Sequence, residues 1–114
     1  MKTVNEDTRT LYPCDLLELG GRDRTEPVHH VATTRIYIVV EGQVVVLYRT
    51  PQGVSSARLS PGDVFPAMPG IDYAFENPGR QNARLYRIIV PVRAMELDEK
   101  TLAADEVKVG KLEE

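Results

Sequence analysis

The stretch RIYIVVEGQVVVLYRTPQGVSSARLSPGDVFPAMPGIDYAFEN, residues 35–77, decides how this chain folds. Arg35–Glu41 is almost entirely strand formers, and Glu41-Gly42 breaks the run. Gln43–Tyr48 is a second such run. It ends at Thr50-Pro51-Gln52-Gly53, where a proline followed two positions later by glycine suits a turn with positive φ at the glycine. Val54–Leu59 alternates weakly and stops at Ser60-Pro61-Gly62-Asp63. Val64-Phe65 leads into Pro66, a further turn falls at Pro69-Gly70, and Tyr73–Glu76 is a short strand closed by Asn77-Pro78-Gly79. Asp63 and Asn77 are turn residues that hydrogen-bond the local backbone.

On the N-terminal side, Val28–Val31 reads as a short strand, Leu11–Leu19 as a weak one, and residues 20–24 as a loop. Residues 1–10 are polar without a period and predict a loose N-terminus. On the C-terminal side, Ala83–Val92 is a good strand, reached through the solvated hairpin loop 79–84. Leu97–Lys108 carries Asp98 as an N-cap, with Leu102, Ala103 and Val107 at helical spacing, which predicts a short helix or a tail over 93–114. Short strands with turn signals about every 8–12 residues, and no obligatory helix, define an all-β sandwich or barrel over residues 11–92.

At 114 residues the chain has room for one domain. Its 42% hydrophobic and 27% charged residues fit a folded protein rather than a disordered one. A net charge of −3, with no basic face and no helix-turn-helix segment, excludes attraction of the whole molecule to nucleic acid or an anionic membrane. Cys14 stands alone, so it makes no internal disulfide, and no basic neighbour within two residues activates it. No apolar run approaches a membrane span, and the opening residues lack the apolar core of a signal peptide, so a soluble cytoplasmic protein is expected. Arg35–Glu41, Gln43–Tyr48 and Arg87–Val92 are apolar on both faces. One face of each lines the barrel, and the other needs a cover, either a second sheet of the same chain or a partner subunit. With little spare chain for the first, a homodimer built on a sheet face is expected.

The turn punctuation resembles that of a known family. Residues 35–42, a strand ending in an acidic-Gly turn, are similar to the first motif of the cupins. Residues 59–77 are similar to the second, with Gly62-Asp63 opening a strand, Pro69-Gly70 turning it and Asn77 closing it. The match spans about Pro27–Val92. It implies a small double-stranded β-helix, the jelly-roll barrel of the RmlC-like superfamily, with a pocket in its mouth.

That resemblance also implies three His and one Glu around a metal, and here the residues depart from the pattern. Arg35 stands at the Glu position and Tyr73 at the third His. The two-His frame falls on His29 and Val31 or on Val28 and His30, so one expected His is in register. A guanidinium repels a cation and does not deprotonate to bind one. Adjacent residues of a regular strand face opposite sides, so His29, His30 and Tyr73 could together hold one divalent transition metal only across a bulge. The expected cofactor is therefore none.

Arg35, pointing inward, needs either an internal partner such as Glu41, Asp72 or Glu76, or an anionic ligand. Tyr37, Met68, Tyr73 and Phe75 complete the expected ligand-binding set with Arg35, while Phe65 and Tyr86 read as core or wall. Three functions are open to such a site. The first is metal-free binding of a small anionic molecule. The second is a metal-free isomerase or epimerase, with His29 or His30 as base and Tyr73 as acid. The third is a metal-dependent, dioxygenase-like enzyme with non-standard ligands, which Arg35 disfavours.

Overall fold

Alternation along residues 33–41 sorts the side chains into two sets. Thr33, Arg35, Tyr37 and Val39 are buried on one face, and Ile36 and Ile38 are partly covered on the other. The computed structural model describes residues 1–5 and 14–112. Its strands are β1 (Lys2–Asn5), β2 (Cys14–Leu19), β3 (Val28–His30), β4 (Thr33–Glu41), β5 (Val44–Thr50), β6 (Gly53–Leu59), β7 (Val64–Ala67), β8 (Tyr73–Glu76) and β9 (Ala83–Pro91). A short helix, α1 (Glu99–Asp105), and a last strand, β10 (Glu106–Lys108), complete the order.

These strands form two antiparallel five-stranded sheets, ordered β1-β2-β9-β4-β7 and β10-β3-β8-β5-β6. The chain changes sheet at β3, β4, β5, β7, β8, β9 and β10, which is the winding of a jelly roll. Between the sheets, Phe75 packs edge-on against Tyr37 at 4.7 Å between ring centroids, with Leu19, Leu85, Val39, Val44 and Val46 around them. Gly42 makes the turn out of β4 at φ +79°, and a Cβ there would stand 3.1 Å from the Cα of Ala83. Asn77 is buried at the other turn, donating to the carbonyls of Leu19 and Gln81 and accepting from Gly79 N–H. Asp63 accepts from Ser60 N–H at 2.8 Å.

One expectation for the chain ends is corrected, and the other is met by its short helix. Lys2–Asn5 is not loose: it pairs with β2 as an edge strand, where backbone hydrogen bonds need no apolar period in the sequence. Residues 6–10 of that segment, and 11–13 of the expected weak strand, lie outside the described residues. At the other end Asp98 accepts from Thr101 N–H and caps α1. Beyond α1 the chain is no tail, because β10 pairs with β3 and extends the second sheet. All three β10 residues are exposed, so no hydrophobic pattern marked it. No helix among the described residues is long and apolar enough to cross a membrane.

Candidate functional site

Five strands aim polar side chains into one end of the barrel. On β4 the inward positions are Thr33, Arg35 and Tyr37, and on β9 Arg87 lies directly across from Tyr37. Asp15 of β2 is the next cross-strand neighbour of Arg87. From the facing sheet come His30 on β3 and Tyr73 on β8.

A chain of hydrogen bonds joins the two sheets. Tyr73 Oη lies 2.8 Å from His30 Nε2 and 2.6 Å from Tyr37 Oη. The Asp105 carboxylate, 3.6 Å from His30 Nδ1, favours the imidazole proton on that nitrogen. Nε2 is then the acceptor: Tyr73 O–H donates to it, and Tyr37 O–H donates to Tyr73. Burial pushes the pKa of both phenols above the usual tyrosine value. Burial, then the positive charge of Arg35, lower His30 to about 4, so its imidazole is neutral near pH 7.

The two inward arginines differ. Arg35 is 5% exposed and paired: Nε donates to Thr33 Oγ1 at 3.1 Å, and Nη2 to Asp105 Oδ2 at 3.4 Å. Asp105 also accepts from Val31 N–H, Ala32 N–H and the Thr33 hydroxyl. Burial opposes its charge, but these donors with His30 and Arg35 outweigh it and hold the carboxyl below its ordinary pKa. Arg87 donates through Nη2 to Asp15 at 2.5 Å. Its buried Nε has no hydrogen-bond partner among the described residues. Burial works against the Arg87 charge, and Asp15 more than compensates, keeping it cationic.

Arg87, Tyr37 and Tyr73 line a cavity of about 430 Å³, with Leu17, Val28 and Phe75 as apolar wall. Its rim runs between the outer strands of the two sheets, Met1 and Thr3 on one side and Glu106 and Lys108 on the other.

Several expectations meet this geometry. Tyr37, Tyr73 and Phe75 do line the cavity. Met68 does not join them, being 52% exposed beyond the end of β7. His29 faces away: its Nδ1 is 2.9 Å from Asp72 Oδ1, and Asp72 accepts from Arg49. His30 faces inward but touches Tyr73 rather than the cavity wall. The partner of Arg35 is none of Glu41, Asp72 or Glu76. Glu41 pairs with Arg84, Asp72 with His29 and Arg49, and Glu76 lies on the outward side of β8. Asp105 takes that place, and with it Arg35 loses its role as the free cation of the pocket. Arg87 was missed, although the inward alternation Ala83, Leu85, Arg87, Ile89 marks an arginine in core register. Asp105 carried no comparable signal, because its position depends on how a short helix docks.

The donor set does not fit the metal that the fold family implies. One imidazole is committed to Tyr73, both phenols are held protonated by burial, and two guanidinium groups stand beside them.

No family model and no curated protein matches the sequence. Solved structures do match in fold. The chain is similar to the capsular polysaccharide assembling protein CapF from Staphylococcus aureus, at 14% identity and TM-score 0.74, over 91% of this chain and 28% of that one. A vicilin from Solanum melongena matches at 24% identity and TM-score 0.64, over 73% of this chain and 22% of that one. A predicted oxalate decarboxylase from Thermotoga maritima matches at 18% identity and TM-score 0.63, over 70% and 66%. In each case the chain spans less than two thirds of the neighbour's length. The two sheets, their winding and these neighbours define a cupin fold. The chain thus has the fold of a small cupin jelly-roll domain, with Arg35 and Tyr73 among its buried inward side chains.

Proposed function

We propose that the domain binds a small anionic molecule in the cavity between its sheets, without a tightly held metal. The carrying observation is Arg87, a cation in the cavity wall whose Nε has no acceptor among the described residues. Apolar wall on one side and the Arg87 guanidinium on the other suit a compact anion with an apolar body. The vicilin from Solanum melongena, which holds different anionic ligands in structurally similar pockets, supports the same reading.

The test is native mass spectrometry of the protein as purified, followed by NMR titration with benzoate and with inorganic phosphate. Arg87→Met is expected to weaken anion binding about tenfold or more, since hydrogen bonds to charged groups contribute about 1.5–3 kcal/mol. Unchanged affinity in that variant, or chemical-shift changes away from the cavity, overturns the assignment.

One contact supports a second reading, a metal-free isomerase or epimerase. The 2.8 Å approach of Tyr73 to His30 makes a path by which a proton taken at the phenols reaches a buried base. Incorporation of solvent deuterium into a bound carbonyl compound, lost in His30→Gln, distinguishes turnover from binding alone.

A further inference from the structure

Resting on the anion reading of the cavity, we infer that its ligand is a 2-hydroxy carboxylate, whose hydroxyl donates to Tyr37 while its carboxylate meets Arg87. The direction of the buried hydrogen bonds carries this. Tyr73 Oη lies 2.8 Å from His30 Nε2 and 2.6 Å from Tyr37 Oη, and it has one proton to give. With Nε2 as an acceptor, that proton goes to the imidazole, and the contact with Tyr37 takes the Tyr37 proton. Both phenol protons are therefore spent toward His30, and Tyr37 keeps only lone pairs. Among the described residues its oxygen has no hydrogen-bond partner but Tyr73. Arg87 faces Tyr37 directly across the β4–β9 ladder, and both line the cavity. Side chains so paired start about 4.5–5.5 Å apart, so a cation and an acceptor are presented side by side.

That pair sets the chemistry of the ligand. Its anionic group takes the guanidinium hydrogen bonds, for which the buried Arg87 Nε is unpartnered among the described residues. Its donor must be neutral, because an ammonium beside Arg87 meets a like charge. A hydroxyl on the carbon next to a carboxylate puts both groups on one edge of a molecule. The rest of that molecule is free to lie on Leu17, Val28 and Phe75. An acid without the hydroxyl excludes water from the Tyr37 oxygen and offers no donor in return, which costs affinity. Near pH 7 the pattern is fixed. Burial raises the pKa of both phenols, so their protons stay in place, and burial keeps His30 a neutral acceptor.

Mandelate and phenylacetate differ by one hydroxyl, and NMR titration of the protein near pH 7 with each compares them. At least one mandelate enantiomer is expected to bind the wild type about tenfold more tightly than phenylacetate. Tyr37→Phe is expected to remove that difference. Tyr73→Phe frees the Tyr37 proton to turn into the cavity, so it is expected to narrow the difference by strengthening phenylacetate. Mandelate binding no tighter than phenylacetate in the wild type overturns the inference and leaves the anion reading standing, as does a preference that persists in folded Tyr37→Phe. Binding of neither acid overturns the anion reading, and the hydroxy acid with it.

Discussion

Asp105→Ala is expected to destabilise the fold by about 3–5 kcal/mol, the cost of removing one partner from a buried ion pair. The carboxylate has four donors: two backbone N–H groups at residues 31 and 32, the Thr33 hydroxyl and Arg35. Deleting it strands the Ala32 N–H at the β3–β4 connection and leaves the Arg35 guanidinium buried with Thr33 alone. The backbone hydrogen bond from Val31 N–H to the Asp105 carbonyl survives the substitution and still ties the end of α1 to the barrel. Urea denaturation monitored by tyrosine fluorescence measures the loss. Removing both charges separates ion pairing from packing. Arg35→Met/Asp105→Leu leaves no unpaired charge, so it is expected to lose less stability than Asp105→Ala alone. A loss under about 1 kcal/mol in the single variant contradicts the role assigned to this carboxylate.

The difference between Asp105 and Arg87 shows what the sequence made legible. The barrel was readable because glycine and proline fix the turns locally, and each strand's alternation is set by its own residues. Tyr37, Tyr73 and Phe75 were readable for the same reason, since parity along β4 and β8 sends them inward. Arg87 obeys that rule on β9, but its run is apolar on both faces, so alternation alone does not mark its inward side. Asp105 lies 70 residues from Arg35 in the chain. No local pattern links them; the pairing exists because α1 docks beside β3 and β4. Reading Arg35 as a free cation therefore failed on a tertiary contact, whereas its inward direction was a matter of strand parity.

Acidification from pH 6.5 to about 4 is expected to cost about 3 kcal/mol of stability through His30 alone, from a depression of 6.5 to about 4. His30 is 1% exposed, so solvent screens little of this. Burial is the first cause, then the charge of Arg35. Asp105 opposes them, and Arg87 and His29 add to the depression. The folded state thus keeps a neutral imidazole where the unfolded chain takes up a proton. Its contribution is fully present above pH 6.5, falls as pH drops through the window, and is exhausted below about 4. Asp105 has a depressed carboxyl pKa, so its contribution is present above the ordinary carboxylate value and is lost only at lower pH. The two groups therefore occupy separate windows. Urea midpoints of the wild type and of His30→Gln, measured from pH 7 to 4, isolate the first. His30→Gln keeps a polar group beside Tyr73 but does not titrate, so its pH slope in this window is expected to be flatter by about 3 kcal/mol in total. A wild type equally stable at pH 7 and pH 4, or a variant with the wild-type slope, shows that the imidazole is not held neutral by its burial. Any anion bound against Arg87 would be released in the same window if unfolding sets the limit, and binding that survives to pH 4 in folded protein separates the two events.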